Sequence, residues 1–320
     1  MILITGGMGF IGLHTEKAFL DAGEDVVITY YRTWREPDFI KDEYGKRVKI
    51  ENVDTTSHHD LIGAAVKHKV NAVVHLSVPA LASLSPAEDY RVNTDSLINV
   101  LEAARVAGAK RVCVASSTAV YSTGLKEGPF TEDMYVPLRA GNPTETWKKA
   151  EEIMGQYYGD RTGLEIVFMR ISGIYGPLYH SMANLMSRMT HAAVKGTPVS
   201  MGGPRGGGVP FEEDGGDLCY VKDCGRGIQM LTMAPTLNHR VYNVSSGVTT
   251  TNKQLAQAVQ KAVPGWTMDP PLQSGKGSTW RANNYLAIDR ITADTGYKPQ
   301  FTTETAIADY VGWLKAGHAE

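Results

Sequence analysis

An α/β fold with a doubly wound parallel sheet is predicted from three features of the 320-residue sequence. Short β-branched runs alternate with longer helical patterns from Ile2 to about Ser172, as βαβ units require. Three of the runs are nearly all apolar, which suits parallel strands covered on both faces. Glycines at 6, 9 and 12 fall between the first run and the first helical pattern. The expected strands are Ile2–Thr5, Asp25–Tyr30, Val48–Asn52, Ala72–Leu76, Arg111–Ala115 and Glu165–Arg170. Between them Gly12–Ala22, Asp60–Lys67, Thr94–Ala107 and Thr144–Arg161 carry apolar residues at three- and four-residue spacing, and Gly23, Gly108 and Gly163 stand as stop signals.

After Gly176-Pro177 the alternation breaks. The glycine-rich stretch Gly202–Gly216 reads as a loop, or as a flap that closes over a small ligand. A strand Leu218–Val221, a helix Asp223–Met233, a strand Arg240–Val244 and a helix Asn252–Val263 follow, with tail helices at Asp289–Thr295 and Thr303–Ala316.

Composition narrows the function. With 42% apolar and 21% charged residues the chain is neither disordered nor a coiled coil. Thirty-two Lys and Arg against thirty-four Asp and Glu, without a long run of either sign, give no footprint for nucleic acid. No apolar stretch approaches the length of a membrane span, and Met1-Ile2-Leu3-Ile4 runs into a strand pattern with no basic leader before it. Cys113, Cys219 and Cys224 are odd in number and lack metal-ligand spacing, which fits a reducing cytoplasm. The expected protein is cytoplasmic, with no membrane and no nucleic acid among its partners.

The stretch Thr5-Gly6-Gly7-Met8-Gly9-Phe10-Ile11-Gly12 sits where a phosphate-binding turn belongs. Gly6 permits a tight turn, Gly9 removes a side chain where a pyrophosphate must approach, and Gly12 allows close packing of helix on strand. The helix start then presents free N–H groups and a positive dipole end. At the end of the second strand, where a carboxylate would bind the adenosine ribose, stands Tyr30, followed by Arg32 and Arg35. Arg32 can pair with a 2′-phosphate, which favours NADP over NAD; both arginines can equally be solvated loop cations. Asp54 can accept from the adenine amine or cap the next helix.

Four segments, Thr5–Gly12, Val74-His75-Leu76-Ser77, Val114–Tyr121 and Arg170-Ile171-Ser172-Gly173-Ile174-Tyr175-Gly176-Pro177, resemble the extended short-chain dehydrogenase/reductase family, the NAD(P)-dependent epimerase/dehydratase group. Asp217–Asp223, Tyr242–Gly247 and Gly296-Tyr297-Lys298-Pro299 extend the likeness over nearly the whole chain. The resemblance implies a Rossmann domain over residues 1–176, with 218–247 returning to it, and a smaller substrate-binding region from 177–217 and 248–320. It implies NAD or NADP held by Gly6, Gly9, Phe10, Ile11, Gly12, Arg32, Val53, Asp54, Leu76, Ser77, Asn93, Ala115, Lys148 and Ile171. It also implies a homodimer through a four-helix bundle of Thr94–Ala107 and Thr144–Arg161, with Leu97, Val100, Leu101 and Ala104 as the apolar face; the same face can instead pack within the monomer.

In that family a Ser or Thr orients the substrate oxygen, a Tyr exchanges its proton, and a Lys four residues later binds the nicotinamide ribose and lowers the Tyr pKa. Ser117 and Lys148 match the first and last, but the residue four before Lys148 is Thr144. An alkyl alcohol cannot be tuned to neutrality as a phenol can, and a positioned acid or base is worth about 10²- to 10⁴-fold in rate. Lys149 is no better aligned, since Glu145 precedes it by four. Tyr121, Tyr175, His75 and His180 are the candidate substitutes, with His75, Tyr121 and Tyr175 equally readable as core or pocket-lining residues.

Gly173 and Gly216 stand where nucleotide-sugar members carry Asn and Arg that hold a diphosphate, which disfavours a nucleotide sugar; Arg281 can still meet an anion or sit in solvent. The expected function is therefore an NAD(P)-dependent enzyme acting at a hydroxyl or carbonyl carbon of a small polar molecule, as a net oxidoreductase or through transient oxidation in an epimerase, dehydratase or lyase. The alternative is a catalytically impaired dinucleotide-binding sensor or partner protein.

Overall fold

Ile2, Leu3, Ile4 and Thr5 are all shielded from solvent, which a strand achieves only when covered on both faces. This strand is the centre of the molecule. The computed structural model describes residues 1–79, 84–201 and 208–318. Its elements in order are β1 (Ile2–Thr5), α1 (Phe10–Asp21), β2 (Val26–Tyr30), β3 (Val48–Asn52), α2 (His58–Lys67), β4 (Ala72–His75), α3 (Pro86–Ala107), β5 (Arg111–Ser117), α4 (Pro143–Thr162), β6 (Glu165–Ile171) and β7 (Gly173–Tyr175). There follow α5 (Leu185–Lys195), β8 (Gly215–Gly216), β9 (Leu218–Tyr220), α6 (Val221–Met233), β10 (Val241–Val244), β11 (Thr250–Thr251), α7 (Asn252–Ala262), α8 (Asp289–Thr295) and α9 (Thr303–Lys315).

Among the described residues the main sheet runs β10-β6-β5-β4-β1-β2-β3, with every pairing parallel. Strand order reverses between β1 and β4, so the crevice beyond their carboxyl ends is the place such a sheet offers a ligand. Alternation along each strand divides the core in two. Ile2, Ile4, Ile28, Val74 and Met169 face α1 and α6, while Leu3, Val27, Val73, Val114 and Phe168 face α2 and α3. A third cluster, from α5, α7, α9 and Tyr175, Tyr220 and Trp266, is the core of the outer region.

The structure departs from the expected elements in ways that trace to local chemistry. α3 begins at Pro86, not Thr94, because Ser85 and Glu88 form a capping box around a proline in the first turn. The polar run behind it has little apolar periodicity to announce a helix. α5 was not anticipated, although Asn184 caps it by accepting from the Ser187 N–H and Met186, Met189, Ala192 and Ala193 bury one face. Leu97, Val100, Leu101 and Ala104 lie inside the monomer core, so they are not an intersubunit face. Of the glycine-rich stretch, residues 202–207 lie outside the described residues; Gly215 and Gly216 form β8, paired with β11. No helix among the described residues is long and apolar enough to cross a membrane.

Glu16 is an unexpected occupant of the core. It sits on α1 with no solvent exposure and neither carboxyl oxygen hydrogen-bonded. Burial alone pushes its pKa well above the usual 4.5. As pH rises past 4.5 the unfolded chain ionises here while the folded one keeps its proton, so this group's contribution to stability falls with rising pH. Replacing Glu16 by Met should therefore stabilise the fold at neutral pH by roughly 1–3 kcal/mol, with the gain shrinking below about pH 4.5. Denaturant unfolding at several pH values measures this; a loss of stability at neutral pH would contradict it.

Candidate coenzyme and catalytic site

The turn between β1 and α1 is made of backbone groups with no side chain in the way. Gly6 has φ +69°, and a Cβ there would lie 3.0 Å from the Ser77 backbone. A Cβ on Gly12 would fall 2.3 and 2.4 Å from the Gly7 and Gly6 carbonyl oxygens, so helix and turn touch directly. The Gly9 N–H donates to Gly6 O at 2.9 Å and closes the turn. Gly9 caps α1 with no side-chain bond, and no acidic residue occupies the first turn. The amides of Phe10, Ile11 and Gly12 are thus at a helix start that carries positive potential, an arrangement that fits a pyrophosphate.

Beyond β2, Arg35 is not a solvated cation: its guanidinium donates to Met8 O at 2.5 Å. Arg32 is exposed and its guanidinium carbon lies 4.9 Å from the centre of the Tyr31 ring. Asp54 accepts from both the N–H and the hydroxyl of Thr56, at 2.9 and 2.7 Å, and so does not cap α2; Ser57 does. Val53 and Ile171 are core side chains, so what they can offer a ligand is main chain. Leu76 and Ser77 lie beside Gly6. Asn93 is buried on α3 and commits its amide protons to Asp89. Ala115, two residues before Ser117, is half-buried in β5.

At the other side of the crevice β5 ends at Ser117, whose hydroxyl accepts from the Ala119 N–H at 3.1 Å. α4 packs against β5 and the turn that follows it. Thr144 lies in the first turn of α4 and Lys148 one turn on, on the same face. Lys148 Nζ donates to Glu151 Oε2 at 2.8 Å, and both side chains are buried. Lys149 is excluded from the ribose-binding role, because its three protons go to Pro137 O, Arg139 O and Glu145 Oε1. Glu152 pairs bidentately with Arg170, at 3.0 and 2.7 Å, and also accepts from Ser116 at 2.5 Å.

Two parts of the crevice meet through His75. Its Nδ1 is hydrogen-bonded to the Thr5 hydroxyl at 2.7 Å, at the head of the glycine turn. Burial, and then the Lys148 charge, bring its pKa down to about 3. His75 is thus a neutral core histidine and a poor proton acceptor. Tyr121 is buried and hydrogen-bonded to Asn243 and Arg170, and burial raises its pKa to about 12. Burial pushes Tyr175 higher still. None of the three can stand in for a neutral-pH phenol. His180 is exposed just beyond β7.

Two aspartates tie together the loops of the outer region. Asp217 accepts from the Ser246 N–H and hydroxyl and from the Leu286 N–H. Asp214 accepts from the Gly277 N–H and the Thr279 hydroxyl. Between them lies a cavity of about 410 Å³ lined by Glu213, Thr249, Thr251, Trp280, Arg281 and Tyr285. Arg281 is not a free surface residue; it donates to Ser122 O at 3.0 Å and ties the cavity to the segment after β5. At Gly173 a Cβ would lie 2.8 Å from Leu218 Cδ2, the end of a side chain that would have to move aside, whereas at Gly216 the nearest atom would be 3.5 Å away. Sequence reasoning missed Glu151, although a three-residue offset from Lys148 on a helix is the signal for such a contact.

Residues 2–245 match the family model described as the NAD dependent epimerase/dehydratase family. Among curated proteins the chain is 28% identical to dTDP-glucose 4,6-dehydratase of Streptomyces griseus, covering 98% of this chain and 93% of the relative. It is 26% identical to UDP-glucose 4-epimerase of Mycolicibacterium smegmatis, with 98% of both covered. Among solved structures, UDP-glucose 4-epimerase of Bifidobacterium longum in complex with NAD+ and UDP superposes with a TM-score of 0.82 at 22% identity, covering 98% of each chain. That likeness shows the Rossmann-type fold. Since the family model spans well over half of the sequence, the chain belongs to the NAD-dependent epimerase/dehydratase family and is an enzyme of it.

Proposed function

We propose that this enzyme binds a nicotinamide dinucleotide across the β1–α1 turn and acts at a hydroxyl- or carbonyl-bearing carbon of a small polar substrate, as a net oxidoreductase or through transient oxidation in an epimerase, dehydratase or lyase. The observation that carries this reading is that α4, which bears Lys148, packs on β5, while the neighbouring strand β4 ends in His75, bonded to Thr5 at the head of the glycine turn. A ribose-binding cation and a phosphate-binding turn thereby share one crevice. The coenzyme would accept and return a hydride. Ser117 would hold the reacting oxygen, Lys148 the nicotinamide ribose, and Thr144 would donate a hydrogen bond or relay a proton through water. Solved relatives in complex with NAD favour that coenzyme. Arg32 beside Tyr31, with no carboxylate at Tyr30, favours NADP.

Titration with NAD and NADP tests this directly. Lys148→Met should weaken coenzyme binding roughly ten- to hundred-fold, the worth of charge-assisted hydrogen bonds. Ser117→Ala should leave binding intact and slow hydride transfer about a hundred-fold. Absence of affinity for either dinucleotide in the unmodified protein would overturn the reading.

For the substrate, the described residues lining the cavity beside Ser122 include one cation, Arg281, and the carboxylate of Glu213, a poor set for holding a diphosphate. The names of the curated relatives favour the opposite, a nucleotide sugar. Because a side chain at Gly216 meets only an ordinary contact, Gly216→Arg should raise affinity for UDP by about ten-fold from a weak starting value. Tight UDP binding by the unmodified protein would establish the nucleotide-sugar reading instead.

The homodimer would use a different face from Leu97 and its neighbours. Tyr90, Ile98 and Val106 of α3 and Ile153 and Tyr157 of α4 are exposed apolar side chains. Replacing Ile98 and Ile153 together by Arg should turn a dimer into a monomer in sedimentation; an unchanged mass would remove this interface. Free, buried cysteines at 113, 219 and 224 suit a reducing cytoplasm.

A further inference from the structure

Thr144, Lys148 and Glu151 stand at positions i, i+4 and i+7 of α4, one stripe on the helix. Gly155, the next position of that stripe, is in the sheet-facing contact: a Cβ on it would lie 2.5 Å from Phe168 of β6. The stripe therefore faces the sheet, and within it the only carboxylate is bonded to the only ammonium at 2.8 Å. We propose that Glu151 is a positioning residue for Lys148, which fixes the ammonium on this stripe and keeps it in its charged form, so that Lys148 can anchor the coenzyme ribose. This rests on the reading of Lys148 as the ribose-binding residue.

The chemistry of the stripe supports the pairing. An ammonium has three protons, and Glu151 takes one, leaving two for vicinal ribose hydroxyls. A buried ammonium without a carboxylate beside it is costly, and the Glu151 contact supplies that partner. Several other charged groups on the elements around this stripe have partners of their own. Lys149 is bound by Glu145, Arg170 of β6 by Glu152 and Tyr121, and Asp89 of α3 by the Trp147 indole N–H. His75 of β4 is neutral. No other acid on these elements is bonded to Lys148 among the described residues.

The test is NAD affinity measured between about pH 6 and pH 9 by calorimetry, which needs no substrate. The unmodified protein should bind with a nearly constant affinity across that range. A buried ammonium deprived of its carboxylate sheds its proton more easily. Glu151→Gln should therefore match the unmodified protein at the acid end and bind roughly ten-fold or more weakly at the alkaline end. Glu151→Asp, which keeps the charge, should restore the flat profile. A Glu151→Gln profile indistinguishable from the unmodified one would overturn the inference while leaving the ribose-binding role intact. Equal affinity in Lys148→Met at every pH would overturn both. Should Glu151→Gln fail to fold, Glu151→Met removes the carboxylate at similar volume: the same loss at the alkaline end is expected, and a flat profile would overturn the inference.

Discussion

Five charged side chains on α4, Glu145, Lys148, Lys149, Glu151 and Glu152, are buried, and a helix can bury that many only if each finds a partner. They do. Lys149 and Glu145 hold each other and the loop before the helix, Lys148 and Glu151 pair along the stripe, and Glu152 reaches across to Arg170 and Ser116. Rotating α4 would leave the two pairs within the helix intact but would break every bond that leaves it, from Glu152 to Arg170 and Ser116, from Lys149 to Pro137 O and Arg139 O, and from Thr123 to Glu145. That constraint fixes the helix about its own axis. Thr144 and Lys148 thereby keep a set direction relative to the end of β5, without any ligand to hold them there. The site is organised by its supporting charges.

The glycine turn was readable from residues alone because its requirements are backbone ones: Gly6 adopts positive φ and Gly12 lies against two carbonyls, and only glycine satisfies either. The strands of the main sheet were readable for a similar reason, since burial on both faces leaves an apolar run. α3 was placed eight residues late because its first two turns are polar and owe their helicity to Ser85, Pro86 and Glu88. Partners distant in sequence were not legible. Nothing near Asp217 announces that Leu286 and Ser246 will donate to it, and Tyr121 could be withdrawn from the list of proton carriers only once its hydroxyl was found between Asn243 and Arg170.

The outer region shows how small residues set chemistry by what they omit. Gly173 pairs with Leu218 between β7 and β9, and a side chain there would have to displace the end of the Leu218 side chain. Gly216 differs: β8 pairs with β11 and leaves its side-chain position open. A side chain at 173 thus requires Leu218 to repack, while 216 is a position where the fold would accept one directly. Polarity at the cavity comes instead from Thr249, Thr251 and Arg281, with Lys276 Nζ 3.7 Å from the centre of the Trp280 ring at its edge.

Glu16 bears on the coenzyme turn through its position behind Gly7, where a Cβ would lie 2.8 Å from Oε1. An ionised carboxylate there would oppose the positive end of α1 and repel a pyrophosphate on the other side of the turn. Burial keeps the proton on, and the turn's electrostatics are left to the free amides. The same desolvation that makes Glu16 a poor stabiliser of the fold therefore makes it harmless to anion binding. A polar group introduced nearby that could hydrogen-bond the ionised form would reverse both effects together, since favouring the charge would relieve the buried carboxyl and set a negative field against the phosphates.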